Sequence, residues 1–344
     1  MVRAGLRIAL CFLMSAAHAA PVLRGAGSTF AEPLYHRWGS SFQGDGGSVG
    51  IEYSGVGSGE GIRRAEAHTV EFGASDEPLS QTQLDAKGMR QFPIAMGAIV
   101  PAVNLQGIGD GQLKLNATIL AKIYLGQIKR WRDPAILALN GDLANRMPDL
   151  PIMPIRRSES SGSTFVFTYY LTANSEAWKA GPGTAKQLSS LPGAAIEGSK
   201  GVVEATKRTP GAIAYVDFGR ARQAGLSVAQ LPNRFGDFMK ASDESIRAAA
   251  KFAAEKSVYG RTQDFYMILT NSDTYDGWPM ATATFVLLPA KRTENVVHAL
   301  EFLNWSFKNG DGAAKDLGYV PLPDLLKVGV RKAWSQTYGY KMLR

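Results

Sequence analysis

The chain has 344 residues, enough for two domains with cores of their own. Hydrophobic residues make up 45% and charged residues 20%, which excludes a disordered chain and indicates a folded globular protein. The formal net charge of +8 is carried by scattered basic residues, including isolated pairs such as Arg63-Arg64 and Lys207-Arg208. None forms a basic run interleaved with aromatics, so no nucleic-acid partner is expected.

Residues 1–19 read as a secretory signal peptide. Arg3 and Arg7 precede an apolar run over 8–17, and Ala17-His18-Ala19 fits a small-x-small cleavage site before Ala20. The run is too short to span a bilayer. The one cysteine, Cys11, falls inside this leader, so the exported chain has no disulfide and depends on its core for stability. Without Arg3 and Arg7, 36 basic residues face 30 acidic ones, and the mature net charge is +6.

After the leader, Gly25-Ala26-Gly27-Ser28-Thr29-Phe30 stands just before a helix-like run. A strand is expected over 49–53, a glycine turn over 55–61 and a helix over 62–68. A short buried strand over 72–74 ends at Asp76. The apolar stretch 92–103, interrupted by Pro93 and Pro101, reads as a buried strand. A helix follows over 116–124, with Ile119, Leu120 and Ile123 on one face. A strand over 152–155 leads into Arg157-Ser158-Glu159-Ser160-Ser161-Gly162-Ser163-Thr164-Phe165 and a helix over 164–171. The segments 184–201 and 226–237 read as loops on either side of a helix over 202–207 and a strand over 212–216. A strand over 283–288 and an amphipathic helix over 295–305 complete the pattern. Short strands alternating with helices imply α/β architecture.

The stretch from Arg157 to Phe165 carries the clearest chemistry. Hydroxyls and a glycine at a strand-to-helix junction leave backbone N–H groups directed at one spot, where the helix dipole adds partial positive charge. Arg157 adds a planar fork of donors, which suits a small tetrahedral oxyanion. Glu159 either orients that fork by a charge-assisted hydrogen bond or faces solvent. The Gly27–Phe30 junction resembles the Gly162–Phe165 junction, as expected for two α/β lobes presenting helix N-termini to a shared cleft. Ser58 in the glycine turn offers another hydroxyl. Asp76 sits where ligands bind in open sheets, or else caps the following turn.

An aspartate in an anion site requires a ligand that keeps a proton. Phosphate near neutral pH has an O–H to donate, whereas sulfate has none and would meet an uncompensated carboxylate. The chain has no His-Glu-x-x-His and no cysteine–histidine spacing, so neither a metal nor a cofactor is expected.

Several segments in the same order give the chain a resemblance to the periplasmic phosphate-binding proteins of phosphate-specific ABC transporters. They are the Gly25–Phe30 motif, Phe72-Gly73-Ala74-Ser75-Asp76-Glu77-Pro78-Leu79-Ser80, Ile123-Tyr124-Leu125-Gly126-Gln127-Ile128-Lys129-Arg130-Trp131, the run from Arg156 to Ser163, Pro210-Gly211-Ala212-Ile213-Ala214-Tyr215 and Trp278-Pro279. The resemblance implies a two-lobed, type II periplasmic-binding-protein fold with the ligand cleft between the lobes. Residues 20–104 and 280–344 would form lobe one and residues 105–279 lobe two. It implies phosphate ligands at Thr29 and Phe30, at Ser58 and Asp76, at Arg157, and at Ser161, Gly162 and Ser163. Glu159 would hold Arg157 in place. Glu159 stands where the family often has aspartate, and Ser163 where it often has threonine.

The implied protein is a periplasmic monomer, not an enzyme, that delivers inorganic phosphate to a membrane permease by closing around it. The rival readings are a secreted phosphatase on the same scaffold, a receptor for sulfate or molybdate, and an adhesion or signalling protein that kept the fold.

Overall fold

The computed structural model describes residues 21–259 and 265–341. The expected leader, residues 1–19 with Cys11, lies outside the described residues. The first half comprises β1 (Val22–Gly27), α1 (Glu32–Gly44), β2 (Gly50–Gly55), α2 (Ser58–Glu66), β3 (Phe72–Ser75), α3 (Gln81–Ala86) and β4 (Met89–Val103). Next come α4 (Ala117–Tyr124), α5 (Pro134–Leu139), β5 (Met153–Arg157), α6 (Gly162–Asn174), α7 (Glu176–Ala180), β6 (Ala194–Ile196), α8 (Gly198–Arg208), β7 (Ala212–Asp217) and α9 (Phe218–Ala224). The chain ends with β8 (Ser227–Val228), β9 (Leu231–Pro232), β10 (Phe238–Met239), α10 (Asp243–Tyr259), β11 (Ala281–Pro289), α11 (Glu294–Asn309), α12 (Asp311–Asp316), β12 (Val320–Pro321) and α13 (Asp324–Tyr338). This is the expected α/β alternation. None of the described helices is long and apolar enough to cross a membrane.

The main sheet runs β2-β1-β3-β11-β4-β7-β5-β6. Its outer members are parallel: β1 with β2 and β3, and β5 with β6 and β7. The long strand β4 is antiparallel to its neighbours and shared between the halves. Residues 89–98 pair with β11 and residues 99–103 with β7. Buried along nearly its whole length, it reads as a continuous apolar run rather than an alternating one. Pro93 sits at the register shift opposite Thr284 and Phe285, where a missing N–H is tolerated. At the crossover, Ile99 N donates to Met280 O at 3.0 Å, and the buried Trp278 ring donates Nε1–H to Ile99 O at 2.8 Å.

Local chemistry sets the helix starts. Asn116 Oδ1 accepts from Ile119 N at 2.9 Å, and Thr293 Oγ1 accepts from Val296 N at 3.2 Å. Helix α11 buries Val296, Ala299, Leu300, Leu303 and Phe307 along one stripe, as its sequence pattern requires.

Three expectations are corrected. The glycine turn 55–61 is only half a turn, because Ser58 already begins α2. The expected loop 184–201 contains β6 and the start of α8, and the loop 226–237 contains β8 and β9. Strands of two or three residues are too short for a period to show. Helix α10 packs on α13, β11, β12 and β4, with Ile246, Ala249 and Ala250 fully buried. It therefore sits against strands that follow and precede the segment 105–279, which bears on the lobe boundaries proposed below.

Candidate functional site

Parallel strands of both halves end at one place, and a helix or a tight turn follows each. Ligands bind outside such strand ends, where helix N-termini converge. From the first half, β1 delivers Ser28 and Thr29, β2 delivers Ser58 and β3 delivers Asp76. From the second, β5 delivers Arg157 and the Ser161 cap of α6, and β6 delivers the start of α8.

Asp76 is 3% exposed. Ser28 Oγ lies 2.7 Å from both of its carboxylate oxygens, and Ser28 Oγ also accepts from Ala31 N at 3.1 Å. Burial pushes the Asp76 carboxyl up to about 6, partly offset by the Ser28 hydroxyl and the Arg157 charge. Asp217, at the end of β7, is likewise raised by burial.

Arg157 is 2% exposed, an unusual place for a guanidinium, and four of its five N–H donors are occupied. Nε donates to Glu159 Oε1 at 2.8 Å, and Nη2 makes a short bond to the same oxygen. Nη2 also donates to Thr29 Oγ1 at 2.9 Å, and Nη1 to Ser199 Oγ at 3.2 Å. Gly198 N donates to Glu159 Oε1 at 3.1 Å. Glu159 therefore does not face solvent but holds the fork.

Ser58 Oγ accepts from two backbone donors of different halves, Asp76 N at 3.3 Å and Gly162 N at 3.2 Å. Ser161 Oγ caps α6 by accepting from Ser163 N at 3.1 Å and Thr164 N at 3.4 Å. Gly162 is required by proximity. A Cβ there would lie 2.6 Å from Asp76 Cβ and 2.8 Å from Ser58 Oγ. Gly57 is required by conformation, with φ at +90° where α2 begins. Phe30 is buried edge-on against Tyr319, whose hydroxyl donates a short bond to Phe30 O.

Thr29, Ser58, Asp76, Arg157, Glu159, Ser161, Gly162 and Ser163 are thus one cluster, with Phe30 at its border. The halves also touch beside it. Gly59 N donates to Ser160 O at 3.3 Å, and Lys186 Nζ pairs with Glu77 Oε2 at 3.1 Å. Arg220 Nη2 donates to Thr29 O at 2.8 Å.

Residues not singled out from the sequence are built into the same cluster. Ser28 lay inside the quoted motif, one position before Thr29. Ser199 lay in a segment read as loop, where Gly198-Ser199 before an apolar pair was the available signal. Tyr215 ends a strand pattern that gave no hint of its hydroxyl. That hydroxyl accepts from Arg157 N at 3.1 Å and bonds Thr164 Oγ1 at 2.9 Å.

Residues 14–308 match the family model described as a PBP superfamily domain. The chain is 38% identical to the phosphate-binding protein PstS of Haemophilus influenzae over 317 residues, covering 91% of this chain and 92% of that one. Among solved structures it resembles a high affinity periplasmic phosphate-binding protein (PfluDING) bound with phosphate, with a TM-score of 0.69 and 22% identity. That match covers 90% of this chain and 93% of the other. A phosphate-binding protein from Stenotrophomonas maltophilia gives a TM-score of 0.68 at 19% identity, covering 91% and 94%. These structural matches give the type II periplasmic-binding-protein fold.

Proposed function

The chain belongs to the PstS family of phosphate-binding proteins within the PBP superfamily, and from that premise we propose that it captures inorganic phosphate in the cleft described above and hands it to a membrane ABC permease. The observation that carries the reading is the buried Asp76 carboxylate set among donors. Thr29, Phe30 N–H, Ser58, Arg157, Ser161, Gly162 N–H and Ser163 are the proposed donors, with Asp76 as the one acceptor. A phosphate O–H satisfies that acceptor. A sulfate dianion leaves it unpaired and repelled, at a cost on the order of 1–3 kcal/mol or more.

The lobes are proposed as 20–104 with 280–344, and 105–279, amended so that α10 moves with the first. The structure holds Arg157 on Thr29 and Gly162 against Asp76, and opening about β4 and the Ile99–Met280 crossing would part them to admit the anion. The closed form then reports a loaded receptor to the permease. Export to the periplasm, the monomeric state and a binding rather than catalytic role complete the proposal. Ser58 and Ser161 support it, because each hydroxyl oxygen accepts two backbone N–H groups and, among the described residues, neither is paired with a general base.

Calorimetric titration of phosphate-stripped protein with phosphate and, separately, sulfate tests the reading. One-to-one heat with phosphate and none with sulfate is expected. Equal response to both anions removes the proton-acceptor role of Asp76, and response to neither removes the receptor function.

A further inference from the structure

Three successive carbonyls lead into α1, and each is held by a side chain. Tyr53 Oη donates to Ser28 O at 2.9 Å, Arg220 Nη2 donates to Thr29 O at 2.8 Å, and the Tyr319 hydroxyl makes a short bond to Phe30 O. Tyr53 and Tyr319 come from the proposed lobe one. Arg220, on α9, comes from residues 105–279 and is the cation of the three. The middle carbonyl matters most for the anion. Thr29 O and Phe30 N belong to one planar trans peptide, so the C=O and the N–H point in opposite directions. A donor fastened to the oxygen fixes the direction of the N–H and, being charged, polarises it. Phe30 is 2% exposed, yet its N–H meets no acceptor among the described residues. A buried N–H left unpaired is rare and costly, which marks this one as kept for a ligand.

Arg220 is itself fixed. Its side chain is 14% exposed and stands between two carboxylates, with Asp217 Oδ2 3.4 Å from Nε and Glu32 Oε2 3.4 Å from Nη2. Asp217, in the same half, is 3% exposed, and its Oδ1 accepts from Arg220 N at 3.0 Å. Glu32 is in the opposite half, and its Oε1 accepts from Gly55 N at 3.2 Å. The two acids balance the guanidinium charge, and Nη2 spends its N–H groups on Thr29 O and Glu32 rather than on the anion.

We infer that Arg220 is a positioning residue for the anion site: from the opposite half it holds the Thr29 carbonyl so that the Phe30 N–H is aimed at phosphate. The inference rests on the phosphate-receptor reading and leaves the Thr29 side chain in its proposed role. Because Arg220 and Thr29 lie in different halves, the Phe30 donor is fully set only when the halves are together.

The test is phosphate titration of phosphate-stripped Arg220→Met, Asp217→Asn/Arg220→Met and Glu32→Gln beside the unaltered chain, with the amide proton resonance of Phe30 followed to saturation. The double variant also removes the buried carboxylate that Arg220→Met leaves without its cation, so it serves if the single variant fails to fold. Both Arg220 variants should bind phosphate about fivefold or more weakly, and the downfield movement of the Phe30 N–H on binding should shrink. Glu32→Gln keeps Arg220 on Thr29 O and should bind as the unaltered chain does. The inference is overturned if the double variant binds phosphate like the unaltered chain. It is overturned if affinity falls while the Phe30 resonance still moves in full, which makes Arg220 a general brace between the halves. It is overturned too if Glu32→Gln loses as much affinity as Arg220→Met, since the ion pair across the halves then carries the effect. In each of these cases the unaltered chain still binds phosphate and the receptor reading stands; if the unaltered chain binds none, both fall together.

Discussion

Replacing Asp76 with asparagine should make the phosphate-free protein more stable and a worse receptor at once. Burial raises the carboxyl from its ordinary 3.8 to about 6. The folded chain therefore holds that proton more tightly than the unfolded chain. Stability contributed by this group is present at low pH and is lost as pH rises through about 6. The shift of roughly two units at about 1.36 kcal/mol each amounts to about 3 kcal/mol. Asparagine keeps the size and an acceptor for Ser28 Oγ but carries no charge to desolvate.

Urea unfolding of the phosphate-stripped proteins across the acid-to-neutral range measures this directly. Asp76→Asn should exceed the unaltered chain by about 3 kcal/mol near pH 8, and the gap should close toward pH 4. Asp217, also raised by burial, titrates in both proteins, and its charge is one of the groups that raise Asp76, so their mutual repulsion is part of the gap. In the same samples phosphate should bind more weakly and sulfate should compete better. A stability gap that does not vary with pH would refute the claim that Asp76 is a desolvated, ionised acceptor in the phosphate-free protein above pH 6.

Arg157→Ala should cut phosphate affinity at least tenfold, about 1.4 kcal/mol, read by titration calorimetry; an unchanged constant would mean that the fork does not touch the anion. Gly162→Ala should destabilise the protein by about 1–3 kcal/mol and abolish tight binding, because its Cβ would meet Asp76 and Ser58 at under 3 Å; denaturant midpoints and titration report both effects. Tyr215→Phe should cost about 1–3 kcal/mol in denaturant unfolding, since Arg157 N and Thr164 Oγ1 lose their buried partner. It should lower phosphate affinity by loosening the strand that delivers Arg157.

The α/β class, the buried strand carrying two prolines, the apolar faces of α4 and α11 and both Gly-Ser-Thr-Phe junctions were legible in the sequence. Each rests on local chemistry: a hydrophobic period, a continuous apolar run, or a hydroxyl and glycine pair before an apolar run. Ser58, Asp76 and Arg157 were legible for the same reason, since they stand at ends of elements, while the individual roles of Thr29, Phe30, Ser161, Gly162 and Ser163 came from the resemblance to phosphate-binding proteins.

Tertiary structure alone decided which of these ends meet and what each group then does. Asp76 and Gly162 are 86 residues apart in the chain, yet a missing Cβ lets them touch. Tyr215 and Ser199 became part of the cluster only because β7 lies beside β5 and α8 starts beside Arg157. The apolar face of helix α10 says that it is buried but not against which partner. Periodicity along a chain encodes how much surface must leave water. Which two surfaces close on each other, and so which carboxyl is raised, depends on contacts between residues far apart in sequence.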